Sequence, residues 1–512
     1  MKKLTKWLNW LDKNIIKILA TGLIFLIPLY PKLPLKMVNF TYVAIRIEDI
    51  YIAFCGIVFL IQFFRKKIII NKKYFLMFVS FWIAVFISLI YGIYVQKNLV
   101  YHQLSFLHAL RRVEYMSVFF LAFASLKERK DIFYYLNIII VVLFLVSIYG
   151  IGQKFLGWPA VQTMNPEYAK GYLLVLDANA RISSTFAGHY DLAAYLVFLM
   201  PITLGLYIGL SKKIYFFAFF LALSNLVLTA SRASYISYLI TIIFFLIYLR
   251  KPRLLIIVLI LTVGLTLLSN NLTKRISRTF QQKNIFINSQ TGETTIPRII
   301  TPDDLPVGNF VPIQSIGQKL NTLPIDKANL SASDIAMLKR TLGEQIKEDL
   351  KKSGKQLNLE EINALIEANI KNIQVVNTII PDISFATRLQ VEWPRAIKAF
   401  LKNPFLGTGP GSLTEASDND YLRWLGEFGL MGTSIFVFII FSIIKEIYQA
   451  AKKNDMTRKA IFFGFIFGVF ALLINATYID VFEASKVAYT FWFTAGIFIA
   501  DSQLKNILKK TS

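Results

Sequence analysis

The sequence predicts an all-α polytopic membrane protein with about 12 transmembrane helices and one large, mostly helical extracytoplasmic loop domain. Of its 512 residues 55% are apolar, and the mean hydropathy is +0.53. The apolar residues form runs of about 20, the length at which a helix crosses a hydrocarbon core of ~30 Å. Because lipid offers no hydrogen-bond partner to a backbone group, each run must be helical.

Twelve apolar segments have the composition of membrane spans. The fourth is the weakest, because Arg111, Arg112 and Glu114 interrupt its first half. Such charges are costly in lipid, so we expect these side chains to form a buried ion-paired cluster that holds helices together. The predicted spans are residues 15–31, 48–64, 74–94, 105–125, 132–152, 191–210, 213–230, 233–249, 254–270, 428–448, 459–478 and 486–504.

The net charge of +25 indicates membrane topology and not a nucleic-acid surface. Residues 270–424 hold 19 Lys/Arg and 16 Asp/Glu, whereas the rest of the chain holds 37 and 15, mostly in short connections between apolar runs. No basic patch with interleaved aromatic residues occurs, and we therefore predict no nucleic-acid partner. The lipid bilayer is the expected environment.

The basic connections alternate along the chain, and this alternation predicts the orientation of the helices. Short loops rich in Lys and Arg stay on the cytoplasmic side. With twelve spans, the basic loops and both termini fall on that side, and the long loops 153–190 and 270–427 face outward. The chain then divides into an N-terminal transmembrane bundle at 1–270, a loop domain at 271–427 and C-terminal transmembrane helices at 428–512.

The large loop carries two helix-start signals. Ser331–Asp334 opens a helical pattern that runs to about Lys352, and Asn358–Glu361 opens a second one. The stretch 278–314 is rich in Thr, Pro and Asn and shows no clear period, so no regular element is predicted there.

Cysteine and histidine usage excludes several kinds of site. The only cysteine, Cys55, lies inside an apolar run, so neither a disulfide within the chain nor a thiolate metal site can form. The three histidines, His102, His108 and His189, show no metal-binding spacing. We therefore expect no metal and no other cofactor.

Polar residues at the outer ends of the predicted helices form three stretches. Charged side chains at such positions are costly where they face lipid, and they are functional candidates for that reason. The first stretch runs from Arg181 into the sixth span. The second is a tight turn with Ser231 and Arg232, and the third runs from Arg388 to Gly432.

These stretches resemble the O-antigen ligase and O-antigen polymerase superfamily of bacterial membrane glycosyltransferases. Four elements carry the resemblance, in the family's order: Ser231-Arg232 after a middle span, Arg388 ahead of Trp393, the glycine turn Asn403–Gly411, and Asn419–Gly432 leading into the next span. The family's usual histidine is matched here by Asp418. The segment Lys283–Pro381 resembles an insertion relative to a typical member.

The resemblance implies glycosyl transfer from an undecaprenyl-diphosphate-linked glycan donor to a hydroxyl of a glycan or lipid-linked acceptor. It places the reaction at the outer face of the bacterial cytoplasmic (inner) membrane, without a nucleotide sugar. A departing diphosphate gathers negative charge, which guanidinium groups stabilise without a metal. We assign that role to Arg232 and Arg388, and the role of catalytic base to Asp418. The predicted substrate-binding residues are Arg181, His189, Asp191, Asn419, Asp420 and Tyr421.

The charged residues also have alternative interpretations. Arg232 could snorkel to the membrane interface, Arg388 could pair with Glu392 one helical turn on, and His189 could serve in capping or packing.

Two acidic pairs could instead bind a metal. Asp418 and Asp420 have the spacing of the DxD motif that other glycosyltransferases use, and Glu48-Asp49 is a second, adjacent pair at the outer end of a span.

Two other classes of function stay open. One is a transporter or flippase of lipid-linked oligosaccharide, and the other is a scaffold without catalysis. Transporters usually show paired repeats and charged, broken helices at mid-membrane, whereas the polar features of this chain gather at one predicted interface.

The predicted topology can be tested with single cysteines in a Cys55→Ser background. In intact cells an impermeant thiol reagent should label a Ser289→Cys variant, because that residue lies in the outward loop. It should leave an Asn454→Cys variant unlabelled, because that residue lies in a basic, cytoplasmic connection. Labelling of Asn454→Cys, or protection of Ser289→Cys, contradicts the topology.

Overall fold

The protein is mostly helical in a computed structural model of the chain, which describes most of the chain outside the large loop. The described residues are 2–38, 44–163, 167–177, 179–277, 280–288, 294–295, 339–340, 343, 346, 358–371, 373–381, 387–413 and 417–511. They divide into two compact units, one formed by Met1–Ile276 with Ala386–Ser512 and the other by Ser277–Phe385.

A helix coincides with each of the twelve segments that the sequence predicted as spans. The helices of the first unit are α1 (Lys2–Leu29), α2 (Ile47–Phe64), α3 (Lys72–Tyr94), α4 (His102–Ser125), α5 (Asp131–Phe155), α6 (His189–Leu210), α7 (Lys213–Thr229), α8 (Arg232–Tyr248), α9 (Pro252–Leu267), α10 (Asn270–Ser277), α12 (Trp393–Lys402), α13 (Asp420–Lys452), α14 (Met456–Asn475) and α15 (Ser485–Thr511). A two-residue ladder pairs β1 (Lys36–Met37) with β2 (Ala44–Ile45).

Six of these helices, α2, α3, α5, α6, α13 and α14, are long and apolar enough to cross a membrane. Three more, α7, α8 and α9, are apolar but shorter. A helix satisfies its own backbone hydrogen bonds, which a lipid environment requires. The helices therefore confirm the class of the protein as a helical membrane protein.

Two glycine pairs bring α6 and α14 into close contact. Gly205 and Gly209 lie on α6 and Gly464 and Gly468 lie on α14, each pair four residues apart. A Cβ atom at Gly205 or Gly464 would lie 2.6 Å from a backbone carbonyl oxygen of the other helix. Small residues at this spacing let two helix backbones approach, which is how helices associate inside a membrane.

The predicted cluster of Arg111, Arg112 and Glu114 exists in part. Arg112 is buried and pairs with Glu427 of α13 at 3.0 Å and with Glu483, in the α14–α15 connection, at 2.6 Å. Glu114 accepts a hydrogen bond from the Tyr489 hydroxyl at 2.6 Å. The acids that neutralise Arg112 thus come from distant parts of the chain and not from its own helix.

The second unit contains a sheet that the sequence did not predict. Strand β3 (Phe280–Asn288) pairs antiparallel with β5 (Ile373–Pro381) along its whole length, and β4 (Thr294–Thr295) pairs with the other edge of β3. The expectation of a mostly helical loop is thus wrong for these strands, because the partner of β3 lies far along the chain and no local pattern reveals it.

The helix predicted after Asn358 is confirmed as α11 (Leu359–Lys371). The Asn358 side chain accepts from the Glu361 backbone at 2.8 Å, and the Glu361 carboxylate accepts from the Asn358 backbone at 2.9 Å. This reciprocal cap satisfies two backbone donors at the helix start. The helix predicted from Ser331 to Lys352 lies mostly outside the described residues.

The glycine contact between α6 and α14 generates a stability prediction. We expect Gly464→Ala to lower the free energy of unfolding by about 1–3 kcal/mol, because its Cβ would meet the Pro201 carbonyl of α6. Gly264→Ala in α9 is the matched control, since nothing lies within 4 Å of its Cβ. Thermal unfolding in detergent would measure both, and equal midpoints would contradict the packing argument.

Candidate functional site

Arg388 lies in a polar cluster beside the first residues of α6, α8 and α13 and the last residues of α14. It opens a single π-helical turn, Arg388–Glu392, that leads into α12. Its Nη2 lies 2.6 Å from Oδ2 of Asp418, and its Nε donates to the Tyr478 carbonyl at 3.3 Å. The guanidinium also stacks on the Tyr478 ring at 4.1 Å from the ring centre. These contacts hold the Arg388 side chain, which is only 3% exposed, in one position.

Asp418 is positioned by the carboxylate of Asp480. The backbone N–H groups of Ser417, Asp418 and Asn419 donate to the two Asp480 oxygens at 2.8–3.0 Å. These three hydrogen bonds surround a left-handed backbone at Asp418, whose φ is 50°. This conformation costs energy for a non-glycine residue. The Asp418 side chain remains 26% exposed while it pairs with Arg388.

The glycine turn Asn403–Gly411 docks on a break in α13. Gly429 leaves the helical conformation at φ 62°, and this frees the next backbone donors. Leu430 and Met431 donate instead to the carbonyls of Pro404 and Phe405, at 2.8 and 3.1 Å. The turn is thus fastened by backbone hydrogen bonds to the helix that follows Asp418.

A chain of alternating buried charges supports this end of α13. Arg423 pairs with Asp480 at 3.1 Å and with Glu427 at 3.6 Å, and Glu427 pairs in turn with Arg112. The Glu427 carboxylate also accepts the Gly411 N–H at 3.1 Å. Because a buried charge is tolerated only with a partner and hydrogen bonds, each member of the chain restricts its neighbours.

Further basic side chains surround the start of α6. The Tyr190 ring lies between Arg181 and Arg388, with each guanidinium carbon 5.7 Å from its centre. The charges of Arg181, Arg275 and Arg388 all act on His189, which is 2% exposed. The sequence did not single out Arg275, because this residue falls within the loop domain predicted at 271–427, whereas the structure places it in α10.

Arg232 joins this cluster through the backbone of Arg275. Its Nη1 donates to the Arg275 carbonyl at 3.2 Å. The preceding Ser231 forms a 2.9 Å hydrogen bond with Ser234. The Ser234 hydroxyl in turn accepts a hydrogen bond from the side chain of Asn475 in α14. The tight turn that the sequence singled out is therefore fixed against the helix bundle, with Arg232 beside Arg275.

Four buried polar atoms around Arg388 have no hydrogen-bond partner within the described part of the chain. They are Nη1 of Arg181, Nε2 of His189, Oε2 of Glu392 and Nε1 of Trp393. Trp393 packs edge-on against Tyr478, the residue on which Arg388 stacks. Buried polar groups are nearly always satisfied in folded proteins, so this group of unsatisfied atoms is a place where water or a polar ligand binds.

The other predicted substrate-binding residues have structural contacts. Asn419 caps α13 by accepting from Leu422 at 3.0 Å, and Tyr421 donates to the Leu473 carbonyl at 2.8 Å. Asp420 is fully buried, and its Oδ2 accepts from the backbone of Val481 and Phe482. These three residues fasten α13 to the end of α14 and to the connection that follows it.

Asp191 lies on the other side of the cluster, half-buried in the first turn of α6. The positive charges of Lys32, Lys486 and Arg46 act on its carboxylate, and its own charge acts on Asp418. It is therefore a second acid near the pair of Arg388 and Asp418.

Two acidic pairs suggested a metal site. In each pair the two carboxylates contact different partners. Asp418 contacts Arg388, whereas Asp420 binds backbone N–H groups. Glu48 pairs with Lys32 at 2.6 Å, and Asp49 accepts the Arg46 N–H at 2.8 Å. Among the described residues no group of three or more metal-ligating side chains is present.

The acids beside Arg388 have raised pKa values. Burial raises the pKa of Glu392 to about 7, and the nearby Asp418 charge adds to this effect. Burial also raises the pKa of Asp418 to about 6, against the opposing attraction of Arg388 and with repulsion from Asp480. Both carboxyl groups can thus exchange protons near neutral pH, as acids and bases at catalytic sites do.

Helices and site together define a helical membrane protein with a basic cluster and two titratable acids at one end of several helices. Comparison of the chain with protein-family models and with curated proteins gives no match.

The raised pKa of Glu392 predicts a pH-dependent stability. Its neutral form favours the folded state, so this stability is complete below the ordinary pKa of 4.5 and is lost as the pH rises through about 7. Glu392→Gln should therefore raise the thermal midpoint, relative to the unsubstituted protein, more at pH 8 than at pH 5. Glu360→Gln, at an exposed position of α11, is the control, and an equal effect at both pH values contradicts the prediction.

Proposed function

We propose that the protein is a glycosyltransferase that transfers or polymerises glycan from a polyprenyl-diphosphate-linked donor onto a hydroxyl acceptor at the outer face of the bacterial cytoplasmic membrane. The observation that carries the proposal is the set of unsatisfied buried polar atoms around Arg388, in a cluster with four arginines. Such a cluster suits a ligand with two phosphate groups and sugar hydroxyls. The resemblance in sequence points to the same chemistry.

In this proposal the arginines bind the donor diphosphate. Arg181 has an unsatisfied Nη1, and the charges of Arg275 and Arg388 act on the same His189 as the charge of Arg181. Guanidinium groups form paired hydrogen bonds with phosphate oxygens and keep their charge in a buried setting. Negative charge develops on the diphosphate as it leaves, so fixed positive charges stabilise the transition state more than the bound donor.

Asp418 acts as the base toward the acceptor. The acceptor oxygen forms a bond to the anomeric carbon while the bond from that carbon to the diphosphate breaks. The diphosphate leaves with the electron pair, and the hydroxyl proton passes to Asp418. With a pKa of about 6, Asp418 is mostly ionised at neutral pH and still basic enough to accept a proton. The ion pair with Arg388 joins this base to the diphosphate site.

The proposed topology has twelve spans, with both termini cytoplasmic and the large loop outside. Six long apolar helices and three shorter ones support it, and the alternating basic connections give the orientation. The site then faces the compartment in which lipid-linked glycans are assembled and no nucleotide sugar is present.

Transport of a lipid-linked oligosaccharide is the second candidate, and the break in α13 favours it. Transporters place charged groups beside discontinuous helices, and Gly429 interrupts α13 two residues after the buried Glu427. A flippase would move intact lipid-linked glycan between leaflets without forming a glycosidic bond. Purified protein in detergent, with donor and acceptor only, separates the two functions, because only a transferase makes a longer glycan there.

Deletion of the protein in its native cell should show which transfer it performs. Single repeat units on the cell surface, in place of long chains, would indicate a polymerase. Long chains that stay on the lipid carrier would indicate a ligase. Unchanged lipid-linked and surface polysaccharides would contradict the proposed function.

Substitutions should separate donor binding from the chemical step. We expect Arg388→Ala to slow transfer by about 10²-fold or more, since a charge that stabilises the leaving diphosphate is lost. Arg388→Lys should recover only part of the rate, because the two-pronged hydrogen bond is gone. Asp418→Asn should abolish transfer while donor binding persists. Lys402→Ala, exposed at the end of α12, is the control, and normal turnover by Asp418→Asn would show that another group is the base.

A further inference from the structure

The buried basic residues include one arginine without a carboxylate partner. Six lysines and arginines are buried in the described part of the chain: Lys32, Arg46, Arg112, Arg388, Arg423 and Lys486. Five of them have partners. Lys32, Arg112, Arg388 and Arg423 pair with carboxylates at 2.6–3.1 Å, and Lys486 donates to three backbone carbonyls at 2.7–3.1 Å.

Arg46 is the exception. It is 8% exposed, its Nε is buried without a hydrogen-bond partner, and no carboxylate among the described residues lies within 4 Å of its guanidinium. The charges of Glu48 and Asp49 act on Arg46, but Glu48 binds Lys32 and the Asp49 carboxylate accepts the backbone N–H of Arg46, so neither is paired with the guanidinium. A buried guanidinium without a direct carboxylate partner is unfavourable, which indicates a place where an anion can bind.

Arg111 of α4 adds a second positive charge at the same place. It is half-buried, its charge acts on Arg46, and no ion pair or hydrogen bond to its guanidinium is found among the described residues. Glu114, the acid next to it on α4, accepts from the Tyr489 hydroxyl. The Asp49 charge acts on both guanidinium groups but forms an ion pair with neither, so an anion placed between them would supply direct hydrogen-bond partners and offset their mutual repulsion.

The surroundings of the two arginines indicate which anion fits. Ile45, Ile47 and Ile50 flank Arg46 with 37–57% of their surface exposed, and Leu107 and Leu110 beside Arg111 are 36–38% exposed. Helix α2 has the smallest buried share of the six long apolar helices, so most of its surface is left to lipid. An anion bound here would carry an apolar chain along these side chains.

We propose that Arg46 and Arg111 bind the phosphate or diphosphate head group of a membrane lipid, whose chain lies against the exposed apolar side chains of α2 and α4. The site uses neither Arg388 nor Asp418, and it does not depend on glycosyl transfer. Its position at the outer end of α2 suits a lipid that enters from the bilayer.

Farnesyl diphosphate is a suitable probe, because it joins a diphosphate to a short prenyl chain. Binding would be measured by calorimetry with the full-length protein in a neutral detergent. An Arg388→Ala background removes the contribution of the proposed donor site. In that background we expect one site, which Arg46→Gln or Arg111→Gln weakens by about 10-fold or more, since a charge-assisted hydrogen bond is lost. Arg253→Gln, an exposed arginine at the start of α9, should leave the affinity unchanged.

Inorganic diphosphate and farnesol complete the test. Both should bind at least 10-fold more weakly than farnesyl diphosphate, and equal affinity for inorganic diphosphate would overturn the assignment to a lipid. Unchanged affinity in both arginine variants would overturn the site. If Arg388→Ala binds like the unsubstituted protein, the donor site fails while the site at Arg46 stands.

Thermal unfolding without the probe separates a binding role from a structural one. Arg46→Gln should keep or raise the midpoint, because it removes an uncompensated buried charge. A lower midpoint together with unchanged affinity would mean that Arg46 is held by water-mediated contacts within the protein, and the proposal would be wrong. If Arg388→Ala does not fold, the number of sites counted in the otherwise unsubstituted protein should fall from two to one in Arg46→Gln.

Discussion

The hydrogen bonds to the Asp480 carboxylate are the interaction on which this end of the molecule depends. One carboxylate accepts three consecutive backbone N–H groups, from Ser417 to Asn419, and pairs with Arg423. Without these hydrogen bonds, nothing would offset the cost of the left-handed backbone at Asp418 or keep its side chain directed at Arg388. The position of the proposed base is therefore decided by an acid that itself has no place in the proposed chemistry.

The charges behind this interaction explain why it can be rigid inside a helix bundle. The ion pairs form a chain in the order Asp480, Arg423, Glu427, Arg112 and Glu483. Each of the three acids has an arginine beside it, and each of the two arginines contacts two acids. Removal of one member would leave its neighbour charged, buried and alone, which is far more costly than loss of the pair. Arg46 is unusual by the same reasoning, since no carboxylate of the described residues lies within 4 Å of its guanidinium and its Nε has no hydrogen-bond partner.

The elements that depend on local composition could be predicted, and those that depend on distant pairing could not. Runs of apolar residues located every long helix, because a helix satisfies its hydrogen bonds within one segment. The cap at Asn358 was readable for the same reason. Strand β3 was missed because its partner, β5, lies far along the chain. The glycines of α6 and α14 gave no local signal, because their role depends on the contact between the two helices.

The sequence by itself determined the class of protein, because length and hydropathy act locally. It singled out Arg232, Arg388 and Asp418, and the structure brings the last two together. Only the tertiary structure decided that Asp420 serves the backbone while Asp418 faces the cluster, although the two are separated by a single residue. It also brought Arg275 and Glu392 to the site and left the Arg46 guanidinium without a carboxylate partner, since contacts between helix ends depend on how the whole bundle packs.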